Sequence, residues 1–96
     1  MPTSEIFEIF GLASNAIVAK YPGRSFPGML IQGDTLRSIL EELDELKADA
    51  IAENLEGVKD SAEALRERFI EMLSYYEDML VQNGLELPYL NRVNNG

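Results

Sequence analysis

Short apolar runs, separated by turn-forming residues, occupy the first third of the chain and predict a small β-sheet. β-branched and aromatic side chains dominate residues 5–10, and such side chains favour strands. Residues 16–21 and 29–32 are two further short apolar runs and predict the second and third strands. Residues 13–15, with the sequence Ala-Ser-Asn, have the composition of a turn between the first two strands. A helix over residues 5–10 remains the alternative for the first run.

The rest of the chain has a different period, because its apolar positions recur every three or four residues, as on one face of a helix. A first helix is predicted over about residues 35–56, with Asp34 or Thr35 as its N-cap and Gly57 as the residue that ends it. Its apolar side chains fall on one stripe, formed by Leu36, Ile39, Leu40, Leu43 and Leu46.

A second helix is predicted over about residues 60–83. Asp60 opens it in the manner of a capping box, and Gly84 ends it. Its apolar positions alternate by three and four and form a heptad-like seam of Ala62, Leu65, Phe69, Met72, Tyr76 and Met79. The short connection between the two helices predicts an antiparallel helical hairpin.

Together these elements predict an α+β fold, in which a small antiparallel sheet packs on a long antiparallel helical hairpin. A chain of 96 residues makes one domain, residues 1–96. Within it we expect a β-rich part over residues 1–33, the hairpin over 34–84 and an extended tail over 85–96. A sheet of two or three strands is not stable alone, so it must pack on the helices.

The chain contains neither cysteine nor histidine, which removes many of the side chains that catalysis and metal binding use. Disulfides, Cys/His zinc sites, thiol nucleophiles and the near-neutral histidine base are therefore excluded. No diagnostic catalytic motif occurs among the remaining residues. We expect a protein that is not an enzyme and that has no metal and no cofactor. A hydrophobic content of 46% argues against disorder.

The formal net charge of −9 arises entirely after residue 40, because the first 40 residues hold equal numbers of acids and bases. Such acidity disfavours direct binding to nucleic acid, whose phosphates need Lys and Arg. It leaves two kinds of partner, a basic protein for the acidic half or a small anionic ligand for the neutral half. No run approaches the ~20 apolar residues of a membrane span, and no signal peptide is evident. We expect no membrane partner and a cytoplasmic location, in the host if the gene is viral.

The loop over residues 21–28 is the strongest candidate site, because two Pro-Gly pairs predict two turns that stiffen it. Arg24 offers a planar fork for a phosphate or carboxylate, and Ser25 offers a hydroxyl. Tyr21 and Phe26 offer ring faces on which a base could stack. The alternative is that both turns only shape a hairpin and that Phe26 belongs to the core.

The junction between the third strand and the first helix is the second candidate. Backbone N–H groups at a helix N-terminus favour anions, although a carboxylate at Asp34 opposes them. Gln32 and Asp34 suit ribose hydroxyls or a base edge, Thr35 belongs to the same candidate site, and Arg37 could assist with charge. The alternative is simple capping, with Arg37 in solvent.

An acidic stripe on the first helix is the third candidate, and it would suit a basic protein. Glu41, Glu45 and Asp49 lie on the face opposite the apolar stripe, and the alternative is a solvated face.

Leftover apolar surface predicts a homo-oligomer. Lys47 and Asn54 interrupt the apolar side of the first helix, while Ile70 and Val81 form a second apolar line on the second helix. The apolar flank of the second helix and residues 85–90 of the tail are the expected contact surface, because a thin core leaves them unburied.

The motifs PGRSFPG at residues 22–28 and QGDTL at 32–36, followed by an acidic helix, resemble a small uncharacterised bacterial and phage family, a domain of unknown function. The resemblance covers residues 5–40, with Leu-Pro-Tyr at 87–89 as a closing motif, and it implies no established chemistry. In size and style the chain is also similar to phage proteins that inhibit host immunity. Some of those are oligomeric sponges for nucleotide signals, and others block a protein.

We therefore expect a binding protein that forms an oligomeric sponge and sequesters a small anionic, nucleotide-like ligand in a setting of phage or bacterial immunity. The alternative is an acidic inhibitor or immunity protein that blocks a basic partner protein.

Overall fold

The computed structural model describes residues 5–12 and 16–93 and confirms the α+β class. Three antiparallel strands in the order β1-β2-β3 precede two helices that form a hairpin. The elements are β1 (Glu8–Leu12), β2 (Ala16–Lys20), β3 (Gly28–Ile31), α1 (Gly33–Ile51) and α2 (Leu55–Gln82).

The central strand, β2, positions the sheet on the rest of the molecule. Its Val18 pairs with Gly11 of β1 and Met29 of β3, and it is fully buried. A register shift between Ile9 and Gly11 leaves an extra residue, Phe10, in β1. The turn predicted at residues 13–15 lies outside the described residues. β1 is a strand, so the helical alternative for the first run is wrong.

The core lies between the sheet and the C-terminal half of α2. Val18, Tyr76 and Leu80 form its buried centre. Partly buried side chains pack around this centre: Phe10, Met29, Leu73, Tyr75, Met79, Leu85 and Leu87. The sheet therefore packs chiefly on α2, while α1 packs along the other half of the same helix.

The hairpin is held by one apolar contact line and one ion pair. Ile39 of α1 and Leu65 of α2 are buried. The Arg68 guanidinium donates to the Glu42 carboxylate at 3.0 Å, which fixes how the two helices are aligned. The chain reverses direction between them with Glu53 in the left-handed region, at φ 56°.

The predicted N-cap of the first helix is wrong. The chain enters α1 from an extended Gln32, so Asp34 and Thr35 already lie in its first turn. The Asp34 carboxylate accepts the N–H of Thr35 at 2.9 Å and does not act as the cap.

The predicted connection between the helices is also displaced. α1 ends at Ile51, and α2 begins at Leu55, before both Gly57 and Asp60. The reason is a side-chain cap at Asn54, whose amide oxygen accepts the N–H of Gly57 at 3.2 Å. Gly57 therefore lies in the first turn of the second helix, and Asp60 lies inside that helix.

The segment after α2 folds back on the core. Gly84, at φ 69°, turns the chain, and the Leu85 N–H then donates to the Leu80 carbonyl at 2.9 Å. Leu85 and Leu87 pack on the buried centre, so this part of the tail belongs to the core of its own chain and is not free for the subunit contact expected from sequence. Leu90 stays almost wholly exposed.

A buried carboxylate holds the last described residues in place. Glu77 is fully buried, and its two oxygens accept the Val93 N–H at 2.8 and 3.1 Å. Arg92 lies 3.9 Å from the same carboxylate and also pairs with Asp78. The composition of the tail predicts fraying from Asn91 onward, and these contacts show that the prediction is wrong for Arg92 and Val93.

Candidate functional site

The face of the sheet that points away from α2 is apolar and open. Strand side chains alternate between two faces, so burial of Val18 on one face places its neighbours Ile17 and Ala19 on the other. Ile17 pairs with Leu30 and Ala19 with Ile9, and together these four side chains form the floor of a concavity of about 680 Å³.

Aromatic rings stand around this floor. The rings of Phe7 and Tyr21 meet edge to face, with centroids 5.2 Å apart at 83°. Phe26 lines the same concavity from the loop that joins β2 to β3. All three side chains are more than two-fifths exposed, so a ligand could reach them from solvent.

A single tight turn positions the charged group of the site. The Arg24 N–H donates to the Tyr21 carbonyl at 3.1 Å, and Gly23 takes φ 84°. This is the geometry of a type II turn with Pro22 and Gly23 at its centre, as the sequence predicts. The turn directs the chain so that Arg24 lines the concavity beside Tyr21.

The second Pro-Gly pair does not form the predicted turn. Gly28 opens β3 and pairs with Ala19, and it does not take a positive φ. Pro27 is buried, and its carbonyl accepts the hydroxyl of Tyr76 at 2.6 Å. The loop is therefore fixed at its far end by a hydrogen bond from the core, a contact that no local sequence pattern indicates.

The electrostatics of the concavity are set by two opposite charges. Within the described residues, the Arg24 guanidinium has no carboxylate partner. Glu5 also lines the concavity, at its edge. An unpaired guanidinium beside apolar walls favours an anionic oxygen more strongly than one in bulk water, because the walls lower the local dielectric.

The structure brings together only part of the predicted site. Tyr21, Arg24 and Phe26 line the concavity, whereas Ser25 belongs to the same loop but is not part of the lining. Gln32, Asp34, Thr35 and Arg37 follow the far end of β3, beyond Ile31, which pairs with Ala16 at the opposite end of β2.

One strand separates the two halves of the prediction. The four residues of β3 span roughly 10–13 Å at 3.3 Å per residue, so the junction does not reach the loop. The Arg37 guanidinium lies 3.3 Å from Glu41 on its own helix instead.

Sequence reasoning missed the floor of the site and one of its rings. Phe7, Ile9, Ile17 and Leu30 line the concavity but were treated only as strand residues. A signal was present, because both faces of the short strands are apolar, whereas a sheet with one solvated face alternates apolar and polar residues.

Other features of the surface give weaker candidates. A second, more open concavity of about 640 Å³ on α2 is lined mainly by charged side chains between Arg66 and Asp78. In residues 5–12 and 16–93, no three acidic side chains converge as they would to hold a metal ion. The helices of this described part are also too short or too polar to cross a membrane.

Comparison with known protein families places the chain in one of them. Residues 2–89 match the profile of Family of unknown function (DUF6959). The chain belongs to this family. The match includes both the sheet and the hairpin, so the DUF6959 domain comprises all five strands and helices described above. No curated protein and no solved structure is significantly similar to the chain.

Proposed function

We propose that this DUF6959 protein binds, without catalysis, a small anionic ligand with a planar ring, of nucleotide-like chemistry, on the outer face of its sheet. One observation carries the proposal: three aromatic rings and an unpaired Arg24 surround one apolar concavity. A base would stack on a ring face, which contributes about 1–3 kcal/mol per base, while Arg24 would take the phosphate.

The size and stiffness of the concavity support this assignment. Its volume of about 680 Å³ lies within the range of small-molecule sites. The loop is closed by the Tyr21–Arg24 hydrogen bond at one end and by the Tyr76–Pro27 hydrogen bond at the other. Because the loop is already ordered, little conformational entropy is lost on binding.

The biological role that fits such a site is sequestration. A small protein that holds a nucleotide without altering it lowers the free concentration of that nucleotide, and an oligomer multiplies the number of sites. A setting in phage or bacterial immunity remains part of the proposal, supported by the resemblance in size and style to nucleotide sponges.

The decisive measurement is native mass spectrometry of the purified protein, followed by calorimetry with a panel of nucleoside phosphates and cyclic dinucleotides. We expect a retained ligand of nucleotide mass. Arg24→Ala should weaken its binding at least ~10-fold, because a hydrogen bond to a charged group contributes about 1.5–3 kcal/mol. Arg24→Lys should restore only part of the affinity, since an ammonium lacks the bidentate fork.

Arg37→Ala is the matched control for this substitution. Arg37 is exposed, lies beyond the far end of β3 and pairs with Glu41, so its removal should leave affinity unchanged. Equal losses for both variants would mean that only net charge matters. If the Arg24→Ala protein kept full affinity for the ligand but had a much lower melting temperature, Arg24 would only stabilise the loop. That result would contradict the proposal.

The competing function is inhibition of a basic partner protein through the acidic half of the chain. The net charge of −9 favours it, but the predicted stripe is partly occupied. Glu41 pairs with Arg37, and the Asp49 carboxylate accepts the amide of Asn54 at 3.4 Å. If this competing function is correct, replacing Glu41, Glu45 and Asp49 by Lys should abolish binding of the basic partner. If ligand binding on the sheet is the function, the same triple variant should bind its ligand with unchanged affinity.

A further inference from the structure

The apolar stripe of α1 is only partly used within one molecule. Ile39 and Leu46, which face α2, are buried and half-buried respectively. Leu36, Leu40 and Leu43 remain 55%, 47% and 45% exposed. At about 100° per residue, these three leucines lie roughly a quarter turn from the line of contact with α2.

A matching stripe is exposed on the first half of α2. Leu55, Ala62 and Phe69 recur at intervals of seven residues, and Phe69 is 50% exposed. Leu65 and Arg68 mark the line along which α2 contacts α1. The exposed stripe of α2 also lies about a quarter turn from this line. On both helices the quarter turn is counted in the direction of increasing residue number.

Antiparallel geometry puts both stripes on one side of the hairpin. Both helices are right-handed, but they run in opposite directions. Viewed from one end of the hairpin, successive residues therefore rotate anticlockwise on one helix and clockwise on the other. The contact line of each helix points toward the other helix. A quarter turn in the same sense therefore ends on the same side of the hairpin for both helices. We call the six side chains that share this side the hairpin face: Leu36, Leu40, Leu43, Leu55, Ala62 and Phe69.

The surface area and dimensions of the molecule leave enough unburied surface for a further chain to cover this face. The accessible surface of 7294 Å² exceeds by about 1,800 Å² the value expected for a folded monomer of 10.8 kDa. The radius of gyration is 16.4 Å, against about 12.5 Å for a compact domain of this length. A stable interface needs only about 800 Å² from each partner, so the surplus is sufficient.

The charges near the hairpin face select what covers it. Lys47 lies within the stripe of α1, and Lys59 and Arg66 flank the stripe of α2, each exposed and without an ion-pair partner among the described residues. By the same helical spacing, Asp44 and Glu63 lie at the outer edges of the face. The face therefore has an apolar centre, unpaired basic side chains and acidic side chains at its edges. Two copies of such a face are complementary, because the bases of one copy can pair with the acids of the other.

We infer that the hairpin face is the homodimer interface, in which two hairpins pack face to face as a four-helix arrangement related by a two-fold axis. The dimer buries the leucines that one molecule leaves in water, and it brings bases of one copy to the acids of the other. This surface differs from the apolar flank of α2 and the tail, on which sequence alone had placed the contact. The inference does not depend on the ligand proposed for the sheet face.

Light scattering with size-exclusion chromatography tests the interface. Wild-type protein should elute at twice the 10.8 kDa of the chain at high micromolar concentration. Leu40→Gln with Leu43→Gln keeps the net charge and should weaken the dimer at least ~100-fold, since each buried leucine accounts for roughly a factor of ten or more. Val81→Gln with Leu90→Gln, which removes exposed apolar groups elsewhere, should leave the mass unchanged.

A second measurement does not require the glutamine variants to fold. The chain has no cysteine, so a single Cys reports one position without interference. Leu43→Cys should form covalent dimers with a short bismaleimide, and Val81→Cys should not. Wild-type protein that stays monomeric at high micromolar concentration overturns the inference. A dimer that survives both leucine substitutions, or that cross-links only through Val81→Cys, overturns it equally.

Discussion

At the scale of single residues, Tyr76 and Glu77 are buried next to each other on α2, yet each binds a different distant segment. The Tyr76 hydroxyl donates to the Pro27 carbonyl at the base of the Arg24 loop. The Glu77 carboxylate accepts the N–H of Val93, near the C-terminal end of the chain. Burial raises the pKa of the Tyr76 hydroxyl above its usual range. Burial and a hydrogen bond to Glu77 raise the pKa of Tyr89 likewise.

The first prediction concerns the hydroxyl of Tyr76. Tyr76→Phe should lower the free energy of unfolding by about 1–3 kcal/mol, because it leaves the buried carbonyl of Pro27 without a donor. Urea denaturation followed by circular dichroism measures the loss. Tyr21→Phe is the control, since Tyr21 is half exposed and should change stability little.

The second prediction follows from the raised pKa of two tyrosines. A group that is harder to ionise in the folded state adds stability that is fully present below its unfolded pKa of about 10 and is lost as pH rises toward its folded pKa. The urea midpoint should therefore fall above about pH 10 through these two hydroxyls. In the double variant Tyr76→Phe, Tyr89→Phe this alkaline fall should be shallower. An identical pH profile in both proteins would contradict it.

At the scale of elements, one strand approaches α2 so closely that any side chain at Gly11 would have to push Met79 and Tyr75 aside. A Cβ built on Gly11 would lie 2.6 Å from the Met79 side chain and from the Tyr75 hydroxyl. The same atom on Gly28 of β3 would meet nothing within 4 Å. Gly11 and Gly28 lie on the two outer strands of the same sheet, but only at Gly11 does the packing against α2 favour glycine.

The third prediction compares these glycines. Gly11→Ala should destabilise the fold by about 1–3 kcal/mol through overpacking against α2. Gly28→Ala should be neutral or stabilising by up to about 1 kcal/mol, because glycine in a strand loses more backbone freedom on folding. Urea midpoints decide the comparison, and a Gly11→Ala protein as stable as Gly28→Ala would contradict the close approach.

The elements themselves could be predicted from sequence better than the contacts between them. Periodicity predicts three strands and two helices, since apolar spacing is a local property. Gly57 was misleading because glycine usually ends helices, whereas here its N–H serves the Asn54 cap. The reversal instead uses Glu53 in a left-handed conformation, which residue type alone does not indicate.

The candidate site was predictable only where it is local. Tyr21, Arg24 and Phe26 lie within one loop, so their proximity follows from the chain. Phe7 comes beside them because β1, which it precedes, pairs with β2, and Leu30 does so because β3 pairs with β2. The hydrogen bond that holds Pro27 comes from a hydroxyl 49 residues away. Long-range contacts of this kind are not encoded in any short window of sequence.

At the scale of the whole molecule, surplus apolar surface and a net charge of −9 oppose each other. Association as we infer it would bury the apolar hairpin face, but it would bring two acidic chains together. Which effect prevails depends on protein concentration and on ionic strength.

The fourth prediction is that thermal stability depends on both. The melting temperature should rise with protein concentration, since assembly stabilises the folded chain by mass action. It should also rise on going from low salt to about 0.15 M salt, where the screening length is about 8 Å and repulsion between the acidic chains weakens. Scanning calorimetry at several concentrations measures both effects. A melting temperature independent of concentration would contradict the dimer.

The fact that the sheet packs chiefly on one half of α2, and α1 on the other half, has a dynamic consequence. We therefore expect that α1 can open locally while the sheet, the Arg24 loop and the Tyr76–Pro27 hydrogen bond stay in place. Native-state hydrogen exchange should therefore show two blocks of amides with different opening free energies. Dimerisation at the hairpin face and ligand binding at the sheet face then involve no common mobile element. The coupling free energy between dimerisation and ligand binding should be close to zero. Each subunit of the dimer should therefore bind its ligand independently of the other, with a Hill coefficient of about one.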